Sequence, residues 1–235
     1  MPTPTALVTG ATEGIGRAVT FALGRAGYRV GVCARTAARV DTLLSDLRKE
    51  GITASGQAAD VGNPESVRAL IQGVTTELGP VDTLVNNAGI AIFRPFSELS
   101  LDDWDATMAT NLRSLFLVTR EVLPGMRERK AGVIVNVASL AGKNPIAGGT
   151  AYVASKHAVL GFSRSLMLEV RKEGVRVLAI CPGSVDTALI RNIGRPAESV
   201  GEILQPEDVA QAILDALRMP ARALVSEIDI RPANP

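Results

Sequence analysis

The amino-acid sequence predicts an α/β fold in which a mostly parallel, seven-stranded sheet carries helices on both faces. Short apolar runs alternate with amphipathic stretches along the 235 residues, which is typical of strands that alternate with helices. The apolar runs are nearly continuous, and such strands are buried on both sides, as in parallel sheets. No linker, low-complexity segment or repeat interrupts this pattern, so we expect a single domain over residues 1–235.

The first half of the chain predicts three strands and three helices in alternation. Gly51 is expected to end the second helix. Asn63 is expected to cap the third helix, with Pro64 at its first position. In order, the predicted elements are strand 6–9, helix 14–26, strand 29–34, helix 40–50, strand 53–58 and helix 64–78.

The second half continues the alternation with longer helices. The stretch 101–129 has helical character, and Pro124–Gly125 is where we expect an interruption, because proline removes a backbone donor. A short strand at 228–230 closes the pattern. The elements in this half are strand 81–86, helix 101–129, strand 132–138, helix 150–172, strand 175–181, helix 206–218 and strand 228–230.

The charge balance and composition exclude several classes of function. Lys and Arg number 25 against 24 Asp and Glu, so the net charge is +1, without the basic excess of a nucleic-acid-binding protein. Aromatic residues make up 3%, too few for a platform that stacks single-stranded bases. No apolar run is long enough to cross a membrane, and the N-terminus lacks the basic region of a signal peptide. We therefore expect a cytoplasmic protein without nucleic-acid or membrane partners.

Metal catalysis of the zinc type is not expected. The sequence has one histidine, His157, and two distant cysteines, Cys33 and Cys181, which do not make a zinc ligand set. Both cysteines lie in apolar runs and are expected to be buried free thiols. His157 is expected to have a packing or interface role.

A glycine-rich turn follows the first predicted strand and opens the first helix. Its residues Thr9 to Gly16 have the spacing Thr-Gly-x-x-x-Gly-x-Gly, and this strand–turn–helix context is typical of a dinucleotide-binding site. The helix N-terminus offers free N–H groups to a pyrophosphate. The turn resembles that of the short-chain dehydrogenase/reductase family, whose fold is a Rossmann-type, doubly wound sheet. The candidate cofactor residues here are Gly10, Thr12, Glu13, Gly14, Ile15 and Gly16.

The residues at the end of the second predicted strand bear on which dinucleotide binds. An acidic side chain there accepts from a ribose 2′-hydroxyl and repels a 2′-phosphate, but this chain has Ala34 and then Arg35. A guanidinium is well shaped for a phosphate, and NADP-preferring members of the family resemble this pattern. Glu13 departs from it, since several such relatives have a basic residue there. We predict NADP(H), with use of NAD(H) left open.

Tyr152 and Lys156 are four residues apart on a predicted helix and therefore share one face. An ammonium near the phenol is expected to lower the tyrosine pKa, so that Tyr152 can exchange a proton with a substrate oxygen. Ser139, at the end of the fifth strand, is placed to hydrogen-bond that oxygen. The family resemblance adds Asn111, which it associates with a helix kink and a water linked to Lys156. The candidate catalytic residues are thus Asn111, Ser139, Tyr152 and Lys156.

The same resemblance implies further contacts to the cofactor. Asp60 and Val61 would lie at the adenine, although Asp60 also suits a turn. The segment after the fourth strand would lie against the cofactor, and the Pro-Gly stretch after the sixth strand would support the nicotinamide. Lys156 would bond the nicotinamide ribose beside Tyr152. These additional cofactor residues are Asp60, Val61, Asn87, Ala88, Gly89, Pro182, Gly183, Val185 and Thr187.

The predicted function is metal-independent hydride transfer between NADP(H) and a small, mostly apolar carbonyl or alcohol. Apolar residues near Ser139 and in a substrate loop at 188–205, expected to act as a lid, indicate this substrate class. One alternative is reduction of 3-ketoacyl-(carrier protein) thioesters, for which Arg129, Lys130, Arg171 and Lys172 would dock an acidic carrier. These cations also suit helix C-termini. Another alternative is a non-catalytic NADP(H)-binding redox sensor.

Association with a second copy of the chain is also expected. The two long helices, 101–129 and 150–172, carry more apolar residues than one core stripe needs. The family commonly associates through these helices, so we predict a homodimer or homotetramer. The extra apolar residues are Leu115, Phe116, Ala158, Phe162 and Leu166.

Overall fold

Residues 3–191, 203–220 and 222–233 are described by a computed structural model. They form one sheet with helices on both of its faces. The strands are β1 (Thr5–Thr9), β2 (Arg29–Ala34), β3 (Ala54–Ala58), β4 (Thr83–Asn86), β5 (Gly132–Val137), β6 (Val175–Pro182) and β7 (Glu227–Ile230). The helices are α1 (Gly14–Arg25), α2 (Ala37–Lys49), α3 (Pro64–Leu78), α4 (Leu101–Met108), α5 (Ser114–Arg129), α6 (Thr150–Val170), α7 (Ala188–Arg191) and α8 (Pro206–Arg218).

The sheet has seven parallel strands in the order β3-β2-β1-β4-β5-β6-β7. The chain starts in the middle, builds outward to β3, and then crosses back to place β4 on the other side of β1. The Rossmann-type, doubly wound fold predicted from the sequence is confirmed. The change of direction between β1 and β4 opens a crevice at the carboxyl ends of these strands, where ligands bind in such sheets.

The two faces of the sheet bury separate cores, as the continuous apolar strands require. Along β1, Ala6 and Val8 pack on one face with α1, α2 and α8. Leu7, between them, packs on the other face with α3, α5 and α6. Because strand side chains alternate, strands with both faces covered need apolar residues at every position, which is the pattern seen in the sequence.

Several helix starts follow directly from their sequences. The Asn63 side chain accepts from the Ser66 N–H at 2.9 Å, with Pro64 at the first helical position, as predicted. Ser100 caps α4 in the same way, and Gln205 and Asp208 form a reciprocal capping box on α8. In contrast, Glu13 at the start of α1 makes no side-chain capping bond.

The interruption expected at Pro124–Gly125 was wrongly placed. Helix α5 runs through Pro124, and the break lies earlier, where residues Ala109–Arg113 form a π-helical turn between α4 and α5. This turn contains Asn111, the residue that the family resemblance associated with a helix kink. Pro124 is exposed, and so is Arg120, whose carbonyl loses its partner to the proline. Water can reach that carbonyl, so the proline does not end the helix.

Most of the predicted substrate loop, 188–205, cannot be compared with the structure because residues 192–202 lie outside the described residues. Within the described part, residues Ala188–Arg191 form the short helix α7. Val185 pairs with Leu204 on the far side of the loop. Among the described residues, no helix is long and apolar enough to cross a membrane.

Candidate active site

A cavity of about 460 Å³ opens along the carboxyl edge of the sheet. The residues that follow each strand from β1 to β6 line it, which explains why segments far apart in the sequence converge. Its volume lies within the ordinary range for small-molecule and cofactor sites. Of the twenty predicted site residues, all but Gly16 and Asn111 line this cavity.

The glycine-rich turn after β1 forms one wall. Gly10 and Gly14 have positive φ angles of 63° and 52°, which glycine adopts without strain. A Cβ on Gly14 would lie 3.0 Å from the Thr187 side chain, so the missing Cβ keeps the cavity open between them. The first N–H groups of α1 have no partner within their helix. This helix end has no side-chain cap, and the glycines leave room beside its backbone, which fits the pyrophosphate of a dinucleotide.

Gly16 lies behind that wall and holds its shape. A Cβ there would come within 2.2 Å of the Gly10 carbonyl oxygen and 2.4 Å of Asn87 Nδ2. The Asn87 amide donates to the carbonyls of Thr9 and Gly10, each at 3.0 Å. Gly16 therefore allows Asn87 to fix the turn, and its role is packing rather than ligand contact.

The rim of the cavity beyond β2 carries exposed charge. Arg35 directly follows β2, and Thr36 and Arg39 line the cavity with it. Arg39 forms an ion pair with Glu13 across the rim, with Nη1 and Oε2 3.1 Å apart. Sequence reasoning missed Arg39, because its partner Glu13 lies 26 residues earlier and no local pattern joins the two.

The wall beyond β3 contains Asp60, Val61 and Gly62. Asp60 Oδ1 accepts from the Gly62 N–H at 2.9 Å, so its carboxylate closes the turn that the sequence also suggested. Cys33 lies nearby, fully buried, and burial raises the pKa of its thiol to about 12. Cys33 and Cys181 are both free and buried, as predicted, and Cys33 is not a reactive thiol.

Tyr152 and Lys156 stand one turn apart on α6 and both face the cavity. Lys156 is 6% exposed, and its Nζ donates to the Val137 carbonyl at 2.9 Å. Burial lowers the pKa of Lys156 to about 8. The ammonium nitrogen lies 5.8 Å from the centroid of the Tyr152 ring.

The expected lowering of the Tyr152 pKa is not seen. Burial raises the pKa of Tyr152 above its ordinary value, and the neighbouring Ser139 hydroxyl acts in the opposite direction. Desolvation disfavours the phenolate more than its neighbours favour it. The tyrosine is therefore protonated at neutral pH in the absence of other charges in the cavity.

Ser139 follows β5 and starts a turn of 3₁₀ helix, Leu140–Gly142. Its Oγ accepts from the Ala141 N–H at 3.1 Å and lies 3.5 Å from the Pro182 carbonyl. The turn fixes the hydroxyl beside Tyr152. Phe93 packs against the same tyrosine, with ring centroids 5.6 Å apart.

Asn111 lies in the π-helical turn, 3% exposed and outside the cavity lining. Its amide bonds both backbone groups of Ile90, at 2.8 Å and 2.9 Å, and donates to Ser155 Oγ at 3.0 Å. A Cβ on Gly89 would be 3.4 Å from Asn111 Oδ1 and 3.8 Å from Lys156 Nζ. Asn111 thus ties the segment after β4 to α6, immediately behind Lys156.

The end of β6 completes the cavity with Pro182, Gly183, Val185 and Thr187. Beyond them, Ala188, Leu189 and Ile190 of α7 also line it. The described part of α7 therefore presents apolar residues to the cavity.

A charged cluster behind Ser139 was not predicted from the sequence. Lys143 forms ion pairs with both Glu227 and Asp229 on β7. Burial acts to raise the pKa of Glu227, but bonds from Lys143 and Arg164 outweigh it and hold that pKa below its usual range. With Cys181, these two carboxylates are the one group of three metal-ligand side chains within the described residues. Lys143 occupies both carboxylates, so the cluster is an ion-pair network that anchors the segment after Ser139 to the sheet edge.

A sequence model of the family described as short chain dehydrogenase matches residues 4–198. Among curated proteins, the chain is similar to a putative ketoacyl reductase of Streptomyces coelicolor, with 42% identity over 204 residues. The match covers 86% of this chain and 78% of that protein.

Solved structures are similar over nearly the whole chain. An actinorhodin polyketide ketoreductase variant, crystallised with NADPH, superposes with a TM-score of 0.92 at 36% identity, covering 98% of this chain and 96% of that one. An alcohol dehydrogenase of the archaeon Thermococcus sibiricus, complexed with 5-hydroxy-NADP, gives a TM-score of 0.90 at 28% identity, covering 98% and 97%.

Proposed function

The chain belongs to the short chain dehydrogenase family, and from this premise we propose that it is an NADP(H)-dependent oxidoreductase acting on a small, mostly apolar carbonyl or alcohol. One observation carries the proposal. Ser139, Tyr152 and Lys156 line the same cavity as the glycine-rich turn, so the groups that handle a substrate oxygen face the place where a dinucleotide fits. When bound, the cofactor supplies or accepts the hydride.

Arg35 is the main argument for NADP(H) over NAD(H). It stands at the end of β2 and lines the cavity, where an acidic residue would instead favour a free ribose 2′-hydroxyl. The ketoreductase and the alcohol dehydrogenase of similar structure were crystallised with NADPH and 5-hydroxy-NADP. Both support the same cofactor here.

Tyr152 acts as the general acid in reduction and the general base in oxidation. A proton-transfer group of this kind contributes about 10²- to 10⁴-fold to the rate. Ser139 holds the substrate oxygen by a hydrogen bond and stabilises developing charge. Lys156 binds the nicotinamide ribose beside Tyr152, and Asn111 positions the helix behind it. No metal is required for these roles.

The proposed substrate class is supported by the apolar residues of α7 that line the cavity and by Phe93, which packs against Tyr152. A second candidate is a 3-ketoacyl thioester, favoured by the similarity to the Streptomyces coelicolor ketoacyl reductase. Carrier docking through Arg129 has less support, because Arg129 donates to the Val81 carbonyl at 2.8 Å and pairs with Asp82. The Arg129 guanidinium is thus already occupied by contacts within the chain.

The test is NADPH and NADH oxidation with a panel of linear ketones, cyclic ketones and an acetoacetyl thioester. We expect turnover with NADPH on simple ketones and its loss in Tyr152→Phe. Thioester turnover well above the rest would assign the second candidate. Tight NADP(H) binding without turnover on any substrate would favour a redox sensor and contradict the enzymatic proposal.

Residues 1–235 act together as one dinucleotide-binding and catalytic domain in this proposal, in the cytoplasm, and the chain forms a homodimer or homotetramer. Phe116 on α5 and Leu168 on α6 are 46% and 58% exposed, which supports an interface on these helices. Leu115 and Leu166 are buried within the chain's own core and are unavailable to it. Light scattering at micromolar concentration tests this, and a monomer contradicts it.

A further inference from the structure

Ser155 lies on α6 between Tyr152 and Lys156 and is fully buried, outside the cavity lining. Its Oγ accepts from the Asn111 Nδ2 at 3.0 Å and donates to the Tyr152 carbonyl at 2.7 Å. The first bond crosses from the π-helical turn to α6. The second stays within the helical turn that carries both candidate catalytic side chains. Ser155 therefore joins that turn to Asn111.

The chemistry of the groups fixes the direction of these bonds. An amide nitrogen only donates and a carbonyl oxygen only accepts, so the Ser155 hydroxyl must pass from Asn111 to Tyr152. Both N–H groups of the Asn111 amide are used, one on Ser155 and one on the Ile90 carbonyl, and its Oδ1 accepts from the Ile90 N–H. A reversed amide would lose both bonds to Ile90. The network thus has one arrangement and can define a position.

The start of α6 lacks the usual restraints on a helix end. Gly149 makes no side-chain capping bond, and the first turn carries no acidic residue. Tyr152 lies in that first turn. In an α-helix its carbonyl also accepts from the N–H of Lys156, four residues later. The Ser155 hydroxyl therefore acts on the one carbonyl oxygen that both residues share.

We propose that Ser155 is a positioning residue for Tyr152, which couples the place of Asn111 to the helical turn that carries the phenol. The inference rests on the proposed function. Ser155 touches neither substrate nor cofactor, so its loss should slow proton transfer and leave affinities unchanged. A small displacement is sufficient, because a proton donor must lie within hydrogen-bond distance of the oxygen that it serves.

The test compares Ser155→Ala with Ser163→Ala, a matched control two turns further along α6. Ser163 is also buried, and its Oγ accepts from the Asn136 Nδ2 at 2.8 Å and donates to the Val159 carbonyl at 2.7 Å. Either substitution leaves a buried amide N–H without its partner, so both should lower the urea midpoint of unfolding to a similar extent.

The two variants should differ in catalysis. Ser155→Ala should lower kcat for ketone reduction by about 10- to 100-fold, the range for a misplaced catalytic group. Its KM for the ketone, and its NADP⁺ affinity by calorimetry, should change less than about threefold. Ser163→Ala should keep the kcat of the unaltered chain. Equal losses of kcat in the two variants, or an unchanged kcat in Ser155→Ala, would overturn the inference.

Ser155→Cys separates hydrogen bonding from side-chain volume. A thiol fills nearly the same space as a hydroxyl but is a weak donor and a weak acceptor, so kcat should fall nearly as far as in Ser155→Ala. The solvent deuterium isotope effect on kcat should rise in both variants, because transfer of the tyrosine proton limits the rate more strongly. Normal turnover in Ser155→Cys would show that volume alone matters and would contradict the proposal. If the unaltered chain binds NADP⁺ and reduces no ketone, the proposed function fails, and this inference fails with it.

Discussion

The two ends of the cavity are built in different ways. At the rim beyond β2, the charged groups Arg35, Arg39 and Glu13 are exposed, and an ion pair links Arg39 to Glu13. At the other end, Lys156 and Asn111 are 6% and 3% exposed, and backbone carbonyls or amides fix their polar atoms. In the proposed function, recognition of the cofactor would depend on groups that solvent screens, while the chemistry would depend on groups that the fold holds in place.

This difference implies different responses to substitution. An exposed arginine can be exchanged with little effect on folding, so the rim is free to change its preference between dinucleotides. A buried polar group cannot lose its partner without a large penalty. We therefore expect changes at the rim to alter affinities and changes at the catalytic end to alter rate and stability together.

The largest effect is expected for Tyr152→Phe, which removes the proton donor from the catalytic end and keeps the ring that packs on Phe93. Turnover should fall by about 10²- to 10⁴-fold, while NADP⁺ affinity changes little. Steady-state kinetics and calorimetry measure the two quantities. Phe93→Leu is the control, because it changes the ring contact and keeps the Tyr152 hydroxyl. Near-normal turnover in Tyr152→Phe would contradict the role assigned to Tyr152.

Lys156→Met should make the folded chain more stable at neutral pH, by up to roughly 3 kcal/mol. Burial lowers the pKa of Lys156 from 10.5 to about 8, so the folded chain binds fewer protons than the unfolded chain between these values. The unaltered chain therefore gains stability as pH rises from 8 to 10.5. The advantage of the variant should shrink over that window.

Urea unfolding at pH 7 and pH 9.5 measures this change for both chains. The comparison cancels groups that titrate equally in the two proteins. A difference in the free energy of unfolding that does not vary with pH would show that the ammonium carries no burial cost. The variant should be inactive at both pH values, because the ribose contact is lost.

Lys143→Met tests the ion-pair network of Lys143, Glu227 and Asp229, which anchors the segment after Ser139 to β7. It leaves Glu227 and Asp229 without their shared partner, and we expect a loss of about 1–2 kcal/mol. Hydrogen bonding to Lys143, against the opposing effect of burial, lowers the pKa of Asp229. The stabilisation is thus present near neutral pH and is lost as pH falls through the lowered pKa values.

Thermal unfolding at pH 7 and pH 3 measures this loss, which should be smaller at pH 3. Turnover should fall with little change in NADP⁺ affinity, since the network adjoins the Ser139 turn and not the rim. The exposed pair Arg68 and Glu65 on α3 is a control. Arg68→Met should have almost no effect, and an equal loss in both variants would contradict the proposed anchoring.

The smallest effect is expected far from both ends of the cavity. Lys130, after α5, has a left-handed φ of 52°, which costs a residue with a Cβ about 1 kcal/mol. Lys130→Gly should relieve this strain and raise the free energy of unfolding by up to about 1 kcal/mol, less the added freedom of the unfolded chain. Lys130→Ala keeps the Cβ and should not stabilise. Unchanged kinetics in both variants would confirm that this region is independent of the site.

Most of the fold could be predicted from the sequence, because the nearly continuous apolar runs indicate strands that are buried on both faces. The bounds of β2, α3 and α8 agree with the prediction residue for residue. The break that the local pattern predicted was misplaced because Pro124 is a strong local signal. The π-helical turn at Asn111, where only the family resemblance implied a kink, depends on Ile90 and Ser155, which bond Asn111 from distant segments. A local pattern cannot reveal such partners.

The candidate site was predictable where a motif marked it, as for the glycine-rich turn and the Tyr152–Lys156 pair. The direction of the Tyr152 pKa shift was not, because sequence spacing reveals neighbours but not burial. The ion pairs of Arg39 and Lys143 were not predicted from the sequence, for a related reason. Each acts through an ion pair with a residue remote in the sequence, Glu13 for one and β7 carboxylates for the other.

The pairing of β1 with β4 has a consequence for how the chain folds. Ala6 lies opposite Thr83, so this central contact closes a long loop, whereas β4 to β7 pair with strands that follow one another. Contacts between distant segments form slowly because their loop entropy is lost first. Residues on both sides of the β1–β4 pair line the cavity. The strands on either side of this pair therefore form only part of the dinucleotide site. We therefore expect cofactor present during refolding to stabilise the joined state by mass action.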